Sequence, residues 1–66
     1  MIIRLNGEER NVPDCCTVAA LIEELGLSPE QVAVELNRRL VARTRRAEVE
    51  LAQGDELELV TLVGGG

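Results

Sequence analysis

Thr17-Val18-Ala19-Ala20-Leu21-Ile22-Glu23-Glu24-Leu25-Gly26 is the stretch whose reading decides the fold. Val18, Leu21, Ile22 and Leu25 recur at i, i+3, i+4 and i+7, which places them on one apolar stripe of a helix. Thr17 has the hydroxyl that an N-cap position uses to hold a free backbone N–H. Gly26 stands where the chain must turn left-handed to leave a helix, and Leu27 follows in place for the accompanying apolar contact. Glu23 and Glu24 fall on the outer face. The spacing therefore predicts one helix over 17–26, apolar on one side only.

Toward the N-terminus, residues 2–12 read as a hairpin. Asn6-Gly7 is a strong two-residue turn signal because both residues tolerate positive φ, and Ile2, Ile3, Arg4 and Leu5 precede it. Pro13-Asp14 breaks the pattern. Beyond the helix, Ser28-Pro29-Glu30-Gln31 has capping-box spacing with Pro at the first helical position, so a single helical turn is expected there. Val32, Val34 and Leu36 then alternate with Ala33, Glu35 and Asn37, which is strand period. Leu40-Val41-Ala42 reads as a short edge strand. The arginines at 38, 39, 43, 45 and 46 read as a basic rim, a solvated charged edge of the kind that discourages strand-to-strand aggregation ahead of a binding role. Val49 and Leu51 are expected to pin a short 3₁₀ or loop segment to the core, and Gln53-Gly54-Asp55 is a turn.

The last strand is expected over 56–63. Leu57, Leu59, Thr61 and Val63 point one way, and Glu56, Glu58, Val60 and Leu62 the other. This second set changes midway from two acids to two large aliphatics. If the first face meets the helix, Val60 and Leu62 lie exposed. One helix can cover only one face of such a sheet, so the elements compose an α+β roll with a mixed sheet of four to five strands. The far face is then either polar or a docking surface.

Sixty-six residues make one domain. The apolar fraction of 45% is almost wholly aliphatic, with no Phe, Tyr or Trp. That composition lacks the stacking platforms of single-stranded nucleic-acid binders. Twelve acidic residues against seven arginines, a net charge of −5, repel phosphate backbones and suit a basic protein surface. The start of the chain, Met1 to Leu5, has neither a charged n-region nor a long apolar h-region. No apolar run approaches the roughly 18 residues of a membrane span. Cys15 and Cys16 are adjacent, which is poor disulfide geometry and fits a reducing compartment. A cytoplasmic protein with no nucleic-acid or membrane partner is expected.

There is no His and no Lys, so the common general base and the Schiff-base amine are both missing. Neither the spacing of Cys15 and Cys16 nor any His supports a metal site. The two cysteines lie just before a helix start, where a thiol pKa can be depressed, but a buried structural cysteine is the commoner case. No catalytic residue and no metal ligand is assigned. What remains is the end, Gly64-Gly65-Gly66. A tail without side chains can thread a narrow channel, and an acyl carbon on glycine is sterically open. Its carboxylate is a poor electrophile and needs activation, for example as an acyl-adenylate made by another enzyme. Residues 1–63 are thus expected to form the domain and 64–66 a flexible tail.

Leu5-Asn6-Gly7-Glu8, the helical stretch 17–26, Val32-Ala33-Val34-Glu35-Leu36-Asn37, Gly54-Asp55 and Leu62-Val63-Gly64-Gly65-Gly66 together carry a resemblance over essentially the whole chain. The chain resembles the bacterial sulfur-carrier proteins of thiamin biosynthesis, small ubiquitin-like β-grasp proteins. The resemblance implies that Gly66 is adenylated by an ATP-dependent, ubiquitin-activating-like partner and converted to a thiocarboxylate with sulfur from a donor. Gly64 and Gly65 would be its flexible approach. The sulfur would then pass to a thiazole synthase. It also implies a carrier and not an enzyme, with no bound cofactor, ATP being used by the partner. The family often has an aromatic residue in the last strand. Thr61 and Leu62 stand there in this chain, which shifts the expected docking residues to Val60 and Leu62. Two other readings of the same tail are the small subunit of molybdopterin synthase, also a thiocarboxylate carrier, and a ubiquitin-like protein modifier.

Overall fold

The apolar stripe folds as expected through Ile22, while Leu25 falls at the C-cap and is half-buried. In a computed structural model that describes residues 1–62, Val18–Glu24 forms the helix α1, with Val18, Leu21 and Ile22 buried. Thr17 caps it, its hydroxyl accepting from the Ala20 N–H at 3.0 Å. At the other end Gly26 adopts φ +72°, and the chain turns back with Gly26 N–H on Glu23 O (3.0 Å) and Leu27 N–H on Ile22 O (3.2 Å). These are the two bonds of a Schellman motif, and they satisfy carbonyls that the helix end would otherwise leave open.

Strands β1 (Ile2–Leu5) and β2 (Glu8–Asn11) pair antiparallel, with Leu5 opposite Glu8. Asn6 (φ 51°) and Gly7 (φ 83°) make the two-residue turn between them, both left-handed as a type I′ turn requires. Pro29–Gln31 is one 3₁₀ turn leading into β3 (Val32–Leu36). The expected capping box does not form there. In so tight a turn the Gln31 N–H bonds the Ser28 carbonyl itself at 2.9 Å, and the Ser28 hydroxyl instead donates to Glu30 at 2.9 Å. That bond is the first cause holding the Glu30 carboxyl below its usual pKa, ahead of the Arg43 guanidinium.

Two further expectations need correction. The edge strand β4 is Arg39–Leu40, two residues in place of the stretch 40–42. The chain reverses earlier because Asn37 (φ 52°) and Arg38 (φ 69°) form a second left-handed two-residue turn, putting Leu36 opposite Arg39 and Glu35 opposite Leu40. Arg46 is also no part of a solvated rim, being only 5% exposed. Its guanidinium donates to Pro29 O at 2.9 Å and Val32 O at 2.6 Å. A buried cation persists only where such bonds replace its water. The neighbouring arginines 43 and 45 lie on a 3₁₀ turn and are exposed, as are Arg38 and Arg39. Leu51 is buried and Val49 half-buried, and this segment crosses the helix start through Val18 N–H to Val49 O and Leu51 N–H to Cys16 O.

The last strand, β5, runs Glu56–Thr61. Val63, expected within it, lies outside the described residues. The sheet order is β2-β1-β5-β3-β4, with β1 and β5 parallel and every other pair antiparallel. This is the mixed sheet of a β-grasp, five strands with one helix on one face. Ile3, Leu21, Ile22, Leu57, Val18 and Val34 are its fully buried large side chains. No helix among the described residues is long and apolar enough to cross a membrane.

Leu21, 0% exposed, sits at the centre of that core. Leu21→Ala should cost about 2–5 kcal/mol through lost burial and a cavity. A domain of this size has roughly 5 kcal/mol in total, so thermal melts by circular dichroism should show partial to complete unfolding at 25 °C.

Candidate functional site

Burial fades along β5. Leu57 is buried, Leu59 half-buried, and Thr61 exposed, so the strand leaves the core before it reaches the glycines. Val60 and Leu62, singled out by the break in alternation, are 56% and 51% exposed. Val60 stands opposite Ala33 on the sheet face that the helix does not cover. Leu62 is held to the neighbouring segment by its N–H, which donates to Gln31 O at 2.6 Å. The tail residues Gly64, Gly65 and Gly66 lie outside the described residues.

Two side chains steady the end of β5, and local sequence pattern signalled neither. The first is Arg46. The carbonyls it binds, those of Pro29 and Val32, flank Gln31, the residue that holds Leu62. A charge-assisted anchor thus sits one hydrogen bond away from the end of β5. The second is Asn6. Its backbone N–H donates to Leu57 O at 2.9 Å, extending the parallel ladder by one bond past β1. Its side-chain amide then takes over from the missing strand, Oδ1 accepting from Leu59 N–H at 2.9 Å and Nδ2 donating to Leu59 O at 3.3 Å. Both main-chain groups of Leu59 are satisfied at a point where β1 has already turned away. Asn37 does the same at the start of the strand, where Oδ1 accepts from Glu56 N–H at 3.0 Å.

The cysteines divide. Cys15 is exposed at φ 63° and Cys16 is buried. Burial first, and the nearby Glu24 charge second, push the Cys16 thiol pKa up. That is the opposite of the depression expected of an activated thiol before a helix. Among the described residues no group of three or more His, Cys, Asp or Glu is arranged to hold a metal ion. What the geometry offers is a firmly held end of β5 beside exposed aliphatic side chains.

Comparison with known proteins agrees with this arrangement. The sequence model of the ThiS family matches residues 3–66. A thiazole synthase of Paramagnetospirillum magneticum is 46% identical over 66 residues, all of this chain but only 20% of that protein's length. The sulfur carrier protein ThiS of Bacillus subtilis is 35% identical over 66 residues, 98% of this chain and 100% of that one. The crystal structure of the thiamine biosynthesis protein ThiS from Geobacter metallireducens superposes with a TM-score of 0.86 at 29% identity, covering 100% of each chain.

The clamp can be tested apart from the turn it sits in. Asn6→Gly keeps a residue at ease with positive φ and removes only the side-chain amide. Hydrogen exchange followed by NMR should show the Leu59 amide exchanging about tenfold faster or more, the equivalent of roughly 1.4 kcal/mol of local opening, while Val34 in the core stays protected.

Proposed function

The chain belongs to the ThiS family, and from that membership we propose that it is a sulfur carrier of thiamin biosynthesis whose cargo rides on the Gly66 carboxylate. The observation that carries this reading is that the family match runs through residue 66, while β5 leaves the core at Thr61. The three glycines therefore belong to the matched pattern and follow directly from an anchored strand.

The chemistry assigns this protein the part of co-substrate. A partner enzyme uses ATP to adenylate the Gly66 carboxylate, releasing pyrophosphate. Hydrosulfide released from a sulfur donor then attacks the acyl carbon, its proton is lost to solvent, and AMP leaves with one of the original carboxylate oxygens. The product is a thiocarboxylate, whose sulfur goes to a thiazole synthase. The similarity to thiazole synthases that contain a matching segment supports that partner. Glycine at the acyl position leaves the carbonyl open to attack, and Gly64 and Gly65 bring no Cβ into a channel. The sequence has no Lys, so no side-chain amine of this chain competes for the activated acyl group. Val60 and Leu62 supply an apolar foothold next to the exit. Burying two such side chains is worth about 3 kcal/mol before the costs of association.

Deleting Gly66 should leave the melting curve unchanged and abolish ATP–pyrophosphate exchange with the adenylating enzyme, and Gly66→Ala should fold equally well and react poorly. Exchange at the wild-type rate in the deletion variant would end the reading. Intact mass after incubation with the enzyme, ATP and a sulfur donor separates a carrier from a modifier. A carrier gains the difference between sulfur and oxygen, whereas a modifier appears in conjugates of much higher mass.

The foothold makes a separate prediction. Val60→Asp and Leu62→Asp should each weaken binding to the adenylating enzyme by about tenfold or more, roughly 1.4 kcal/mol, with little change in melting temperature because both side chains are already half in water. Calorimetric titration beside a melt of each variant reads both quantities. An affinity loss that only tracks unfolding would remove Val60 and Leu62 from the docking surface.

A further inference from the structure

The basic stretch after β4 leaves one cation inside the fold without an anion. Arg46 is 5% exposed, and its guanidinium donates to Pro29 O and Val32 O. A guanidinium has more donors than these bonds use. The Nε–H is buried and meets no acceptor among the described residues. No carboxylate among them lies within 4.0 Å of Arg46. Carbonyl dipoles offset part of the cost of burying this charge, but a buried charge is ordinarily paired. Arg46 also lines a cavity of about 200 Å³, which opens between α1, the Pro29–Gln31 turn and the Arg43–Arg45 turn. Ala19, Ile22, Pro29 and Ala47 give it apolar walls, and Thr44 adds a hydroxyl. Arg43 stands on its rim, exposed and 3.9 Å from the equally exposed Glu30.

We propose that this cavity binds a short-chain aliphatic carboxylate, with the charged head against Arg46 and Arg43 and the chain on Ile22, Pro29 and the two alanines. The size points to a small ligand, since drug-sized molecules need roughly 300–1,000 Å³. The charge of the lining is of one sign, so the head is an anion. The planar donor fork of an arginine matches a carboxylate. Apolar walls leave the far side of a phosphate or sulfate without donors, and they suit the chain of an aliphatic acid. The site stands apart from the carrier chemistry but not from the strand that precedes the glycines. The carbonyls that Arg46 binds flank Gln31, whose own carbonyl takes the Leu62 N–H. An occupant therefore engages the same guanidinium that steadies the end of β5.

The buried Arg46 Nε–H is an NMR probe placed at the site itself. Titrating the full chain with butyrate should move that signal and the amides of Ala19, Ile22 and Ala47 along one saturable curve in the millimolar range. Melting temperature should rise with butyrate, by mass action on the folded state. Butyramide has the same shape and no charge, and should bind at least about tenfold more weakly. Ala47 is exposed on a turn, so Ala47→Leu can fill the cavity without entering the core. That variant should melt as wild type and lose at least about tenfold in butyrate affinity. Arg43→Gln should fold equally well and weaken binding by about threefold, since its charge is the more exposed of the two. No response to butyrate overturns the proposal. An equal response to butyramide does so as well, by leaving only an apolar crevice. Wild-type affinity in Ala47→Leu, or shifts that run equally through Arg38 and Arg39, would mean a loosely associated ion and would also overturn it. So would a chain ending at Leu62 whose Arg46 Nε–H signal has moved with no acid added, because the cavity would then belong to this chain's own C-terminal residues.

Discussion

Among the described residues, the two hairpins of this protein meet in the sheet only through β5. β1 and β2 form one of them and β3 and β4 the other, and between them lies a single six-residue strand, parallel to one neighbour and antiparallel to the other. Everything else is arranged to hold that strand. Leu57 locks its first half into the core. Asn37 caps its start, and Asn6 continues the ladder where β1 stops. Arg46 stiffens the segment that receives its end. A central strand is normally the most enclosed part of a sheet. Here burial declines along its length, from Leu57 in the core to Thr61 in water.

That decline divides the molecule by physical character. The helix side is dry, aliphatic and closely packed, and it contains no chemistry. The open side carries acids near the middle and aliphatics near the exit, a combination that a lone domain gains nothing from displaying. Stability comes from one face, and the other is left open to water. The absence of aromatic residues is compatible with this, because a one-layer core of Val, Leu and Ile closes well around a seven-residue helix.

Much of this was legible in the residues. The helix, its Thr17 cap and its Gly26 exit follow from spacing and local chemistry, and the first hairpin from Asn6-Gly7. The exposure of Val60 and Leu62 follows from parity along one strand. The second hairpin turn was missed because Asn37-Arg38 carries no glycine, and Arg38 takes positive φ only because the strands on either side hold it there. Arg46 was read as solvated because a charged residue among charged residues offers no local sign of burial. Its partners lie 17 and 14 residues away, and both are carbonyls, which sequence does not mark. Asn6 was seen as a turn former while its second role depends on a residue 53 positions on. The capping box at Ser28 failed for the converse reason. Its pattern was present, but the turn was too tight to use it. Local rules thus located the elements, and the bonds that steady the end of β5 came from tertiary geometry.

The central place of β5 has a consequence for how the protein is made. Among the described residues β5 comes latest in the chain, yet it supplies the pairing that joins the two hairpins. Earlier segments can form turns and a transient helix, but they have no sheet to close, and contacts between β1 and β5 span most of the chain. Folding must therefore wait for synthesis to pass Thr61. A chain broken off before β5 keeps its apolar stripe uncovered and presents itself to proteases and chaperones as unfolded. In cells, a folded domain is thereby evidence that translation has passed β5, so the pool of folded protein is largely free of copies truncated upstream of it.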